Sequence, residues 1–259
     1  MITMSKKIRL LSLLMRSGEF RRSYDAEQEI RQGHVEADGR IVTNPKHSIK
    51  VNSILKVRGR KLEARPLTYI LLNKQKGMVC QKSSKERTVF GIINSIDEID
   101  QKTRSSLFCV GRLDKDTRGL LVVTNDGQLE KLLTRGHVMK TYLVEASHPV
   151  ADEAISALKQ GVEIRDDDTG KGFLVKALSI KRLGKHKLEI GIYEGRKRQV
   201  RKMLQAVGNE VVSLKRVGIG SLRLEELDFK GKQYIIARRS DICADSFLYG
   251  NMIYPIPQQ

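Results

Sequence analysis

The sequence predicts an α+β protein: a small α/β unit followed by a larger domain built on a mixed, mainly antiparallel sheet. Three observations lead there. Apolar spacing switches between helical and strand-like periods along residues 7–240. The strand-like runs outnumber the helical ones and do not alternate with them, as they would in a parallel βαβ array. The aperiodic stretch KLEARPL, with Pro66, divides an arginine-rich beginning from an apolar, strand-rich remainder. The expected organisation is a module over 7–61, a linker over 62–67, a main domain over 68–240 and an extension over 241–259.

Each element has its own signal. Ile8, Leu10, Leu11, Leu14 and Met15 recur at helical spacing, and Gly18 can end that helix. Arg9 and Ser12 interrupt the apolar start and no small-residue cleavage site follows, so it reads as a helix and not as a signal peptide. Ser23 can cap a second helix that buries Ala26 and Ile30 and stops at Gly33. HVEADGRIV reads strand, turn, strand around Asp38-Gly39, and IKVNSILKVRGRK closes the module with another strand. Beyond the linker, TYILLNK, SLFCVGRLD and GLLVVTND are strands, the last ended by Asn125-Asp126-Gly127. QLEKLLTRGHV is a short helix with Leu129, Leu132 and Leu133 on one face. KTYLVEA is a strand, residues 151–161 a helix stopped by Gly161, HKLEIGIYEG a strand, and RKRQVRKMLQAVG a helix stopped by Gly208. No pattern is legible from about Ser240 onward.

The 259 residues carry 48 Lys and Arg against 30 Asp and Glu, a formal net charge of +18. That excess favours a polyanionic partner, because each phosphate neutralised releases counterions. Arg9, Arg16, Arg21, Arg22 and Arg31 line the helical part of the first module and are candidate phosphate contacts. Cys80, Cys109 and Cys243 show no CxxC spacing, which argues against a disulfide framework or a zinc site and suits a reducing cytosol. No apolar run is long enough to cross a bilayer.

Candidate chemistry concentrates in GRLDKDTRGLLVVTNDG, residues 111–127. Asp114, Asp116 and Gly119 fit positions one, three and six of a calcium loop, but Arg118 and Asn125 stand where ligands are required. Asp126 fits a turn, and Asp116 before Thr117 can tie the preceding one. Asp114 follows an apolar strand beside Arg112, whose guanidinium would hold it ionised, as a nucleophilic carboxylate requires; a structural Arg–Asp pair is the competing reading. Arg196, Lys197, Arg198, Arg201 and Lys202 crowd the start of a helix, where cations oppose the macrodipole, so an anion or acidic group is expected beside them. Tyr142 in KTYLV can be a core aromatic or a platform for an extruded base.

These segments resemble a known family. GRLDKDTRGLLVVTNDG is similar to the central motif of ribosomal RNA pseudouridine synthases of the RsuA type, YILLNKQKG to their first motif, and KTYLV to the segment bearing their active-site tyrosine. EGRKRQVRKML with VGNEVVSLKRVGIGSLRL is similar to their third motif, and residues 8 to about 58 to the RNA-binding module of ribosomal small-subunit protein four. The resemblance implies a cytoplasmic, monomeric isomerase that converts a uridine of ribosomal RNA, or of a pre-ribosomal particle, to pseudouridine without metal or cofactor. It implies Asp114 as nucleophile, Arg112 supporting the flipped nucleotide, Tyr142 stacking on the base, and Arg201 pairing with Asp114. Arg118 would add a cation near that aspartate. Gln75 and Arg118 depart from the family pattern. Arg198 before Gln199, where the small-subunit branch tends to have histidine, leans towards large-subunit RNA. The alternative is a non-catalytic RNA-binding or ribosome-assembly protein on the same fold.

Overall fold

The computed structural model describes residues 7–20, 22–135 and 138–242, with two short pieces at 248–249 and 252–253. The first module contains β1 (Lys7–Arg9), α1 (Leu10–Arg16), α2 (Ser23–Arg31), β2 (Val35–Ala37), β3 (Arg40–Ile41), β4 (Ser48–Lys50), β5 (Leu55–Val57) and β6 (Arg60–Leu62). The strands order as β3-β2-β5-β6, with β1 and β4 paired apart. Leu10, Leu13, Leu14, Ala26, Ile30, Val35 and Leu55 form its own core. The single strand expected over 49–61 is three, because turns at Asn52 and Arg58-Gly59 break it.

The main domain runs β7 (Tyr69–Lys74), α3 (Val89–Asn94), α4 (Gln101–Ser106), β8 (Phe108–Cys109), β9 (Arg118–Thr124), α5 (Gly127–Arg135) and β10 (Lys140–Ala146). It continues with α6 (Asp152–Gln160), β11 (Val162–Arg165), β12 (Gly172–Val175), β13 (Ser179–Arg182), β14 (Lys187–Ile192) and α7 (Gln199–Ala206). β15 (Val211–Ile219), β16 (Leu222–Arg223), a short 3-10 turn (Leu224–Glu226), β17 (Tyr234–Ala237) and α8 (Arg239–Ile242) complete it. The extension beyond residue 242 lies mostly outside the described residues.

One sheet organises this domain, in the order β13-β14-β10-β15-β9-β7-β17. Its pairs are antiparallel except β9 with β15, which run parallel over Arg118–Lys215 and Gly119–Arg216. Each face is covered. Ile70, Leu72, Leu121, Val123, Val144, Leu188, Ile190 and Leu214 point to one core beneath α3, α6 and α7. Tyr69, Leu71, Leu120 and Val122 point to the other, packed against Leu129 and Leu133 of α5. Hence β7 and β9 read as unbroken apolar runs and not as alternating ones. Fully burying one such leucine or valine contributes about 1.5–3 kcal/mol.

The module and the domain meet through short contacts. Arg65 N–H donates to Arg16 O (3.1 Å), and Lys102 pairs with Glu19 (2.9 Å). Gly18 adopts φ +79°, and a Cβ there would lie 2.2 Å from the Lys102 carbonyl oxygen, so a side chain would push the module off α4. Asn125 fastens the linker, accepting from Thr68 N–H (2.9 Å) and donating to Pro66 O (3.0 Å).

Candidate active site

The loop between β8 and β9 carries Asp114, and a buried lysine holds it. Lys74 has no exposed surface. Its ammonium donates to Thr117 O (2.6 Å), Asp114 O (3.0 Å), Gln75 O (3.3 Å) and Lys115 O (3.5 Å). Burial pushes its pKa down, against the pull of Cys80, Asp116 and Asp114. Gly77 N–H donates to Lys115 O (2.7 Å), and Thr117 N–H to Asp114 O (3.0 Å). Cys80 Sγ lies 3.4 Å from both Leu113 N and Leu113 O. A hydrogen bond from Cys109 lowers the Cys80 thiol to about 6 and pushes Cys109 up. Both thiols are free; Cys243 lies outside the described residues.

Strand register then sets the floor. Lys74 of β7 faces Gly119 of β9, Gly119 faces Arg216 of β15, and Arg216 faces Tyr142 of β10. These four positions form one row across the sheet, under the Asp114 loop. Gly119 is needed there: its φ is +107°, and a Cβ would lie 2.2 Å from Arg216 O. Lys140, two residues before Tyr142, shares its face and donates to Tyr193 O (2.8 Å). Burial, then repulsion from Arg216, lowers its pKa to about 8.

Tyr142 and Arg216 of this row floor a cleft of about 480 Å³, also lined by Arg112, Asp114, Lys140, Arg196, Lys197 and Arg198. That volume falls within the roughly 300–1,000 Å³ typical of small-molecule sites. Tyr142 is 8% exposed, with its ring among core residues. The Asp114 carboxylate has no hydrogen bond or ion pair among the described residues.

Arg201 does not pair with Asp114. Its Nη2 lies 3.0 Å from Asp116 Oδ2, and Arg198 Nη1 lies 3.6 Å from Asp116 Oδ1. The reason lies at the head of α7. Arg198 takes φ +55°, and Gln199, 3% exposed, folds the preceding turn by accepting from Arg196 N–H (3.0 Å) and donating to Glu194 (2.9 Å). This orientation delivers Arg201 to the second aspartate of the loop. The acidic neighbours required by the basic helix start are therefore Asp116 and the β11–β12 turn. Lys197 pairs with Asp168 (2.8 Å), Lys202 with Asp167 (2.9 Å), and Arg196 lies 3.8 Å over the Phe173 ring.

The other basic candidates separate. Arg118 does not stand beside Asp114: it is exposed at the start of β9, bonds Ser213 Oγ (3.3 Å), and lines a small groove with Leu143, Lys187 and Lys215. The strand pleat aims it away from the cleft. Lys202 is tied to Arg165 O (2.7 Å) as well as Asp167. Arg16 is half-buried, its pKa lowered by burial against the attraction of Asp126 and Tyr69, so it belongs to the contact between module and domain. Arg22 pairs with Asp25 (2.7 Å), while Arg9 and Arg31 are exposed. Arg21 lies outside the described residues. Asp126 caps α5, accepting from Gln128 and Leu129 N–H, and also accepts from Tyr69 Oη (2.9 Å).

A half-buried carboxylate and an aromatic ring share a cleft walled by cations, a combination suited to work on a nucleic-acid base. Comparison with known proteins makes it particular. The family described as RNA pseudouridylate synthase matches residues 68–206, and the chain belongs to it. It is an RNA pseudouridine synthase. It is 33% identical to the ribosomal small subunit pseudouridine synthase A of Salmonella typhimurium, over 78% of this chain and 84% of that protein. It is 32% identical to the ribosomal large subunit pseudouridine synthase B of Bacillus subtilis, over 78% and 82%. A crystal structure of a pseudouridylate synthase superposes with a TM-score of 0.61 at 30% identity, covering 91% of this chain and 98% of that one.

Proposed function

We propose that the protein isomerises one uridine of ribosomal RNA to pseudouridine, with Asp114 as nucleophile. The observation that carries this reading is the Asp114 carboxylate: without a partner among the described residues, fixed through its own backbone by Lys74, and open to a cleft shared with Tyr142. In the reaction the N1–C1′ bond breaks, the base turns, and a C5–C1′ bond forms. C5 gives up its proton and N1 gains one. Asp114 attacks either the anomeric carbon or the uracil ring; both routes need an ionised, oriented carboxylate. Tyr142 stacks on the flipped base, which offsets part of an unstacking cost of a few kcal/mol. Arg112, Arg196, Lys197 and Arg198 stand on the cleft wall to meet phosphates. Arg201 acts through Asp116 as a positioning residue.

Residues 7–61 serve as the RNA-binding module, resembling that of ribosomal small-subunit protein four, and the catalytic domain spans 68–240. The protein works as a cytoplasmic monomer. Arg198 before Gln199 favours large-subunit RNA. Pseudouridine mapping of ribosomal RNA from cells lacking the gene tests the reading. One site should disappear and return with the wild-type gene; a map with every site intact would overturn it.

A further inference from the structure

Among the described residues, the floor of the cleft holds a charge without a counter-ion. Arg216 is 4% exposed and donates its Nε to Leu120 O (2.8 Å). Its Nη2 is buried with no acceptor. The Asp116 carboxylate is taken by Arg198 and Arg201, and Arg216 has no ion pair among the described residues. Lys74 and Lys140 do not relieve it. They are buried cations whose ammonium groups are occupied by backbone carbonyls, and both feel repulsion from Arg216. A buried guanidinium left unpaired is costly, and so is a buried donor left without an acceptor. An arrangement of this kind is kept where a ligand completes it.

The register says which part of a ligand arrives there. Arg216 and Tyr142 are direct cross-strand partners on the same face, so their Cβ atoms are neighbours about 4.5–5.5 Å apart. A pyrimidine stacked on Tyr142 presents an edge to the guanidinium. On either route of isomerisation, negative charge grows on the base carbonyls. When the N1–C1′ bond breaks, its electron pair stays with the uracil and spreads onto O2 and O4. Attack on the ring generates an enolate oxygen.

We infer that Arg216 is a catalytic residue that contacts the substrate, its Nη atoms taking a negatively charged or carbonyl oxygen of the flipped nucleotide. The inference rests on the cleft being the site of uridine isomerisation. Two sources could supply the oxygen: the base itself or the adjoining backbone phosphate. Fixed donors aimed at developing charge act before the reaction and need no reorganisation during it.

The test uses full-length protein and a synthetic RNA hairpin carrying the uridine that mapping identifies. R216Q is the informative variant, because its amide nitrogen falls where Nε stood and can keep the Leu120 bond. The single-turnover rate should fall about 100- to 1,000-fold while the dissociation constant stays within about threefold of wild type. R216K, which retains the charge, should recover part of the rate, and it takes over the test if R216Q does not fold. Two modified RNAs identify the oxygen through double-perturbation cycles. With 4-thiouridine at the target, a weaker acceptor replaces O4. With a methylphosphonate 5′ to it, the phosphate charge is gone. Either modification should slow the wild type yet slow R216Q no further, and the one that does so names the source. Purely additive losses with both RNAs, or an R216Q rate equal to wild type, overturn the inference alone. A wild-type protein that leaves the hairpin unmodified overturns the functional reading, and this inference with it.

Discussion

Arg201 and Asp116 form the ion pair that ties α7 to the loop carrying Asp114, Nη2 to Oδ2 at 3.0 Å, with Arg201 only 13% exposed. The pair leaves Asp114 free while orienting the segment that carries it. Asp116→Asn keeps the shape and removes the charge. Unfolding free energy should fall by about 1.5–3 kcal/mol, the range for a hydrogen bond to a charged group. RNA affinity should hold while turnover drops. Urea melts with single-turnover assays check this, and an unchanged rate would remove the positioning role.

Asp114→Asn is isosteric and buries no new group, so folding should be unaffected. Isomerisation should fall by roughly 10⁴-fold or more, the order found when an enzyme nucleophile is deleted. RNA binding, measured by filter retention, should persist. Near-normal turnover by this variant would falsify the assignment of the nucleophile.

Lys74 never meets solvent, and its ammonium gathers four carbonyls around the Asp114 loop. Lys74→Met takes the donor from Gln75 O and Thr117 O, while Asp114 O and Lys115 O keep the N–H groups of Thr117 and Gly77. A loss of about 2–4 kcal/mol in stability is expected, because two buried acceptors at the root of the Asp114 loop are orphaned together. Activity should be lost even at temperatures where the variant is folded. A folded, active K74M by circular dichroism and turnover would contradict the account.

Lys140 gives a pH signature. Its folded pKa of about 8 lies below the ordinary lysine value of 10.5. Between those values the unfolded chain holds a proton that the folded chain has lost, so this group makes stability rise with pH across that window. Below pH 8 the folded protein bears the full cost of the buried charge. Lys140→Met should therefore gain most relative to wild type at neutral pH, with the difference shrinking towards pH 10. Paired denaturation curves at pH 7 and pH 9.5 read it directly; a constant difference would mean that Lys140 is not a strained cation.

Salt dependence separates cations that meet RNA from those that serve the fold. Arg112→Ala or Arg196→Ala should each reduce the log–log salt slope of binding by about 0.7, the value for one phosphate on single-stranded RNA. Lys202→Ala should leave the slope alone and lower stability, since that ammonium is bound to Asp167 and Arg165 O. A changed slope for K202A, or an unchanged one for both arginine variants, would reverse the division.

The sequence carried the class of fold and the family, because strand periodicity and GRLDKDTRGLLVVTNDG are local signals. Asp126 was legible as a turn residue for the same reason. What escaped was set by register. Lys74, Arg216 and Tyr142 lie far apart in the chain and meet only because β7, β9, β15 and β10 align. VVSLKRVGI mixes apolar and charged residues and did not read as a strand, so its arginine was not seen as buried. Arg201 went to Asp116 and not Asp114 because the left-handed residue at Arg198 and the turn folded by Gln199 decide the direction of α7. Neither spacing nor composition reports such a choice.

The parallel ladder between β9 and β15 spans only two residue pairs, and one of them is Gly119 with Arg216. It is the seam joining the β13-β14-β10-β15 half of the sheet to the β9-β7-β17 half. Amide hydrogen exchange should therefore be faster along this seam than within the six-residue β10–β14 ladder on one side or the six-residue β7–β9 ladder on the other. RNA spanning both halves would slow exchange at the seam most, making it the place where occupancy of the enzyme is felt as stiffness.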